Sequence, residues 1–385
     1  MSITFGQDWK YYNEQYHKSK ELIDAFINID KVIELIPENE KDSLANAYYN
    51  RAKIYFAFKD LNKSFNDIEN ALSLKPSLIK IYLLRCDLYL YTNEYDRALA
   101  DCNKALIINP NHVDALLKKG VILNIKGKLD EAIKILTKVY TIEPDKYFTH
   151  FYLSKIYSQK KLYNKALIEI NKEIDINPTW EGGYYSRSII YYMYLNKYNE
   201  ALIDLNYSLK IKPKWLEALL ARGEVYSLLE KYDEAFKDLN TIFNIYEDYA
   251  EAYFVRGQIY LMMFKYNEAI IDFSKAIKID SLQNNSYSLR AFAFTHIKDY
   301  KNAISDYEKA MNAFPDNINT ILNLAELLII TDDYNKALNV LKNKFILIKN
   351  DNQKALYLFL TIFAKAILNQ DYSIDLKKIN LIIKN

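Results

Sequence analysis

Histidines, cysteines and carboxylates usually carry metal and nucleophilic chemistry, and along these 385 residues they fail to converge. His17, His112, His150 and His296 are far apart, with no pair at i, i+4 and no His-Glu-x-x-His setting. Cys86 and Cys102 stand at facing places on successive helices, where two small core residues explain them better than a redox switch does. No glycine loop is present to cradle a phosphate, and the acids are spread along helices instead of gathering at one point. The expectation is a non-enzyme with no catalytic residue, no metal and no cofactor. One polar pattern does recur. Arg51, Arg85, Arg187, Arg222, Arg256 and Arg290 are matched in turn, further along the chain, by Asp67, Asp101, Asp204, Asp238, Asp272 and Asp306. Where the arginine is missing the aspartate goes too, as in Lys119 with Ile135, Leu153 with Glu169 and Leu324 with Val340. Such paired variation within one chain points to a partly buried ion pair between two helices, a structural role and not a ligand site.

A repeated unit must position these pairs. All seven prolines share one phase: Pro37, Pro76, Pro110, Pro144, Pro178, Pro213 and Pro315 are separated by 39, 34, 34, 34, 35 and 102 residues. A period near 34 means one supersecondary unit copied along the chain. With proline as position 32, position 20 reads Ala25, Ser64, Ala98, Ala132, Ala166, Ala201, Ala235, Ala269, Ala303 and Ala337. Position 8 is small in every unit but the first: Ala52, Cys86, Gly120, Ser154, Ser188, Gly223, Gly257, Ala291 and Ala325. Small residues at two fixed places on either side of a turn let two antiparallel helices pack closely. Bulky residues at position 11, such as Tyr55, Tyr226 and Tyr260, and at position 17, such as Tyr95, Tyr232 and Tyr300, fill the surrounding space. Asp233 and Glu234 favour the start of a second helix, and proline stops that helix or opens the next.

Composition agrees with one elongated array. Half the residues are hydrophobic and seven are glycine, with no linker-like stretch. A net charge of +2 gives no overall footprint for nucleic acid or an anionic membrane. The first ten residues lack a basic stretch followed by an apolar run, so a secretory signal is not expected. The longest apolar stretch, residues 355–368, contains Lys365 and is too short to span a bilayer. Two cysteines form no disulfide framework, and the expected location is a reducing cytoplasm.

The pattern resembles the tetratricopeptide repeat family. Trp9, Tyr12, Tyr16, Ala25 and Pro37 carry the resemblance in the first unit, and Arg222-Gly223-Glu224-Val225-Tyr226 with Tyr232-Asp233-Glu234-Ala235 carry it in a later one. It covers residues 6–351 as ten units: approximately 6–39, 45–78, 79–112, 113–146, 147–180, 181–215, 216–249, 250–283, 284–317 and 318–351. Residues 352–385 form a degenerate capping pair of helices. Five extra residues separate the first two units, and one extra residue lies near residues 192–197. The implied fold is all-α, a right-handed α-solenoid of tandem helix-turn-helix units. The implied function is a non-catalytic scaffold or adaptor that binds a peptide or protein segment in a concave groove.

In this family positions 2, 5, 9, 12 and 13 of the first helix line that groove. The resemblance places Tyr49, Phe56, Leu83, Phe151, Tyr185, Tyr192 and Phe254 there, with Tyr91, Leu117, Phe148, Met193 and Met262. Glu217, Glu224, Glu251 and Glu326 make the later half acidic, which suits a basic or apolar segment and disfavours nucleic acid. One subfamily grips the C-terminal carboxylate of chaperones. Lys10, Asn50 and Lys80 match its clamp, whereas Glu14 and Leu84 stand where Asn and Arg are needed. A co-chaperone-like carboxylate-binding adaptor is therefore one alternative, and a helical-repeat RNA binder is another. Gly182-Gly183 weakens a helix start, either as a hinge or as a tolerated irregularity. Leu356, Leu358, Phe359, Ile362 and Phe363 make the last long helix apolar. The expectation is a monomer in which residues 372–383 fold back over that helix, or else a dimer formed through it.

Overall fold

The two apolar stripes of each unit cannot both be buried by one helix, so the unit folds as two helices that cover each other and lean on the next pair. The computed structural model describes residues 29–30, 33–280 and 284–383, and among them no strand occurs. Helix pairs follow one another from Lys41–Ala57 with Leu61–Leu74 to Ile318–Ile330 with Tyr334–Leu341. Asp351–Ile367 and Ser373–Ile383 form the last described pair. The chain divides into two compact units, Met1–Gly183 and Tyr184–Asn385.

Within a pair, position 8 of the first helix faces position 24 of the second, and their sizes compensate. A Cβ on Gly120 would lie 2.7 Å from the Leu136 side chain, and one on Gly257 would lie 2.8 Å from the Phe273 ring. Ser154 Oγ donates to the Ala166 carbonyl at 2.8 Å, and Ser64 Oγ to the Ala52 carbonyl at 2.8 Å, so these small hydroxyls are satisfied inside the interface. Cys86 and Cys102 occupy the same register, fully buried with their sulfurs 3.3 Å apart, and the contact with Cys102, followed by burial, raises the Cys86 thiol. They are core residues of the same kind as Gly257 and Phe273.

The turn between the two helices holds a feature that the residue columns did not show. Lys59, Asn93, Gly127, Lys161, Asn196, Glu230, Phe264, Lys298 and Asp332 all have positive φ. Each ends a first helix in the left-handed region, and the backbone N–H of the next residue then reaches back to a carbonyl at position 11: Asp60 to Tyr55 at 2.9 Å, Lys231 to Tyr226 at 2.9 Å. This closure satisfies helix-end carbonyls that would otherwise lack partners. The extra residue of the sixth unit is absorbed here as well. Ile190–Tyr194 winds as a π-helical turn, and the Lys197 N–H closes on the Tyr191 carbonyl at 2.9 Å.

Gly182 and Gly183 are buried, and a Cβ on Gly182 would come within 2.4 Å of the Trp180 ring. Close approach of an indole is thus a packing reason for glycine at this helix start. The fold-back at the other end is real but partial. Ser373–Ile383 packs on Asp351–Ile367, with Lys365 Nζ 2.7 Å from Asp375, and Leu358, Leu360 and Ala364 are buried. Phe359 and Phe363 nevertheless stay exposed, although the Phe363 ring lies 6.4 Å from that of Tyr334.

Candidate functional site

The arginines are structural. Arg51, Arg85, Arg187, Arg222, Arg256 and Arg290 each grip their aspartate through two N–H donors, Nε and Nη2, at 2.6–2.9 Å. Nη1 of Arg51, Arg85, Arg222 and Arg290 also reaches back along the chain, to Asp30, Glu69, Asn206 and Ser274 in turn. The guanidinium therefore ties one repeat to the next as well as closing its own. Where Leu153 replaces the arginine, Glu169 is taken over by His150 at 2.5 Å and Lys172 at 3.1 Å, and these hydrogen bonds outweigh burial to hold its carboxyl below the usual range.

In the first unit Tyr49, Phe56, Leu83 and Phe151 are half-buried and Asn50 is exposed. Lys80 Nζ lies 4.5 Å from the centre of the Tyr49 ring, and Lys53 Nζ is 5.8 Å from the same ring. Burial, then the nearby Lys53 and Lys75, lower the Lys80 ammonium. Phe56 meets Tyr91 edge-on at 5.8 Å. Lys10 and Glu14 lie outside the described residues. Leu84 is a buried core residue, so its place offers no polar group to a carboxylate. Phe148 and Phe151 are fixed by a residue that sequence reasoning passed over. Glu173, fully buried, accepts the backbone N–H of Phe148 at 2.7 Å and of Phe151 at 3.2 Å, and burial raises its carboxyl. It caps the helix Thr149–Gln159 from the neighbouring helix, where Phe148 itself has φ 68°.

In the second unit Tyr192 meets Glu224 and Tyr185 lies beside Trp215, Glu217 and Glu251 are exposed, and Phe254 packs at 6.0 Å against Phe273 in the core. Tyr192 corrects the expectation of an exposed aromatic. It is 9 % exposed, because it lies in the π turn and the following pair covers it, and its hydroxyl donates to Glu224 Oε2 at 2.9 Å. Burial raises the Glu224 carboxyl, and burial followed by Glu217 and Glu224 raises the Tyr185 phenol. Two further aromatics accompany them. Trp215 packs on Tyr185 with ring centres 4.6 Å apart and planes inclined 46°, and the Tyr249 phenol is raised by burial, then by Glu217 and Glu251. Both immediately precede a first helix, as Trp180 does in the first unit. That aromatic column was visible in the sequence at the same period of about 34. Among the described residues no three metal-ligating side chains converge. No helix among them is long and apolar enough to cross a membrane.

Tandem antiparallel helix pairs, closed by a left-handed turn and joined by arginine ties, define an α-solenoid of short helical repeats. Tetratricopeptide repeat models match residues 45–78, 83–146, 250–281 and 298–343, and the chain belongs to the tetratricopeptide repeat family. Among solved structures it is similar to a tetratricopeptide repeat protein from Parabacteroides merdae, with 21% identity and a TM-score of 0.54 over 65% of this chain and 98% of the other. It is also similar to yeast Tom70, with 14% identity and a TM-score of 0.53 over 94% and 95%. A third is PilW, a widely conserved type IV pilus biogenesis factor, with 15% identity and a TM-score of 0.51 over 54% and 96%. At such identities these likenesses establish the fold alone. Compared with curated proteins by sequence, the chain matches none. Tetratricopeptide arrays are protein-interaction scaffolds as a class, and membership places this chain among them.

Proposed function

We propose that the chain is a non-catalytic adaptor that holds an extended segment of a partner protein against the faces of its first helices. The observation that carries this reading is the recurrence of large apolar side chains left exposed at the groove register: Tyr91, Phe148, Met193 and Met262. Aromatic and thioether groups recurring on first helices give an extended chain successive side-chain contacts at little entropic cost. The carboxylate clamp is disfavoured by the buried Leu84, and an RNA groove by the carboxylates near Tyr185.

The test places a photo-crosslinking amino acid at Tyr91 or Met262 and, separately, at Ile203 or Ile271 on exposed faces of second helices. Partner adducts formed from the first-helix positions alone support the reading. Equal or greater yield from Ile203 and Ile271 would move the binding face to the second helices.

A further inference from the structure

We propose that Cys86 and Cys102 form a redox lock, in which a hydroperoxide converts the two thiols into a disulfide that ties the helix Ile79–Tyr91 to its partner Tyr95–Ile108. The lock does not depend on the adaptor reading.

The chain has two cysteines in 385 residues, and the fold brings them together. Their sulfurs lie 3.3 Å apart, in direct contact, and both residues are fully buried. A buried residue touches about ten others, so a second cysteine placed at random in the chain would lie against the first only about one time in forty. The register adds to this. In the other described pairs the second-helix place that Cys102 fills holds a large side chain opposite a small residue, as with Leu136 on Gly120, Leu239 on Gly223 and Phe273 on Gly257. Here the two members are equal in size and both carry sulfur. Small core residues account for the packing of the pair, but not for the choice of sulfur at both places.

Neither sulfur is open to solvent in the closed pair, and contact with Cys102 followed by burial raises the Cys86 thiol, so the closed pair is inert. The first step therefore waits for the two helices to part locally. An exposed thiol then loses its proton, and its sulfur takes one oxygen of the hydroperoxide as the O–O bond breaks. The other oxygen leaves as an alcohol or, from hydrogen peroxide, as water. Reclosure returns the second sulfur to contact. It attacks the sulfenic sulfur, expels the hydroxyl as water and forms the S–S bond. Two electrons pass from the two sulfurs to the peroxide oxygens, so two thiols and one hydrogen peroxide become one disulfide and two waters. Lys118 on the next first helix, held by Asp87, acts on the Cys86 sulfur from outside the pair and favours its thiolate. The locked helix also carries Tyr91, which is 40% exposed with its ring 5.8 Å from that of Phe56, so the disulfide stiffens the support of an exposed aromatic.

The experiment treats the reduced full chain with hydrogen peroxide, with and without urea well below the unfolding midpoint, then blocks free thiols in denaturant and reads the product by mass. The expected product is a monomer lighter by two hydrogens, with no blocked thiol and with the Cys86 and Cys102 peptides joined. The rate of joining should rise with urea as local opening grows. Amide exchange in Ile79–Tyr91 and Tyr95–Ile108 should slow by at least about tenfold on oxidation and recover with dithiothreitol. Two thiols still open to blocking overturn the lock. Oxidation of one cysteine to sulfinic acid without a link, or disulfides between chains, overturn it as well. So does a joined chain whose exchange in this pair is unchanged, and a joining rate that ignores urea overturns the gating by local opening. Every readout is made on the wild-type chain, so misfolding of a variant cannot imitate any of these results.

Discussion

At the scale of single residues, the costly groups are the charges held out of water. Arg222 donates twice to Asp238, whose side chain is 7% exposed, so truncating the arginine leaves a desolvated carboxylate with its main partner gone. Arg222→Ala should lower unfolding stability by about 1–3 kcal/mol. Urea denaturation checks this, and an unchanged midpoint would mean that water or a moved lysine replaces the guanidinium. Glu224 is expected to behave in the opposite way. Burial raises its carboxyl, so the folded protein takes up that proton at a higher pH than the unfolded chain does. Its contribution is favourable below the ordinary carboxylate range and is lost as pH rises through the raised value. Glu224→Gln should therefore stabilise the free protein by about 1 kcal/mol near neutral pH and have little effect in acid. Melting curves at about pH 7 and about pH 4 test the sign.

At the scale of elements, the left-handed turn governs how each first helix hands over to its second. Most of these positions are not glycine, and an L side chain there costs about 1–2 kcal/mol. Gly127 has φ 72° with nothing within 4 Å of a would-be Cβ, so the cost of Gly127→Ala should be purely conformational, about 1 kcal/mol. Phe264, at φ 58° and largely exposed, should respond in reverse, with Phe264→Gly stabilising by up to about 1 kcal/mol. Paired thermal unfolding of the two variants is the measurement. If both destabilise, side-chain contacts at the turn outweigh its backbone strain. The π turn is the other deviation at this scale. An inserted residue could have lengthened the loop, but winding it into the helix keeps the turn closed on the Tyr191 carbonyl.

At the scale of the whole molecule, repeats touch chiefly their neighbours, so stability is a sum of local terms. Arg222→Ala should raise amide exchange in Leu216–Leu228 and Tyr232–Ile245, while Lys41–Ala57 and Leu61–Leu74 keep their wild-type protection. Native-state hydrogen exchange resolved by segment reads this directly. Loss of protection everywhere at once would show that the repeats unfold as one body.

The sequence by itself determined the period, the two helices per unit, the small residues at positions 8 and 20, and all six arginine–aspartate pairs. These are contacts within one unit or at a fixed offset, so repetition writes them into the chain many times over. The positive-φ column was not legible, because backbone closure accepts Lys, Asn, Glu, Phe and Asp alike and leaves no residue signature. Tertiary structure alone decided that Tyr192 is buried, that Glu173 caps a neighbouring helix, and that Trp215 packs on Tyr185. Exposure and charge environment depend on how the next pair packs and on one inserted residue, and neither is fixed by the identity of the side chain that experiences them.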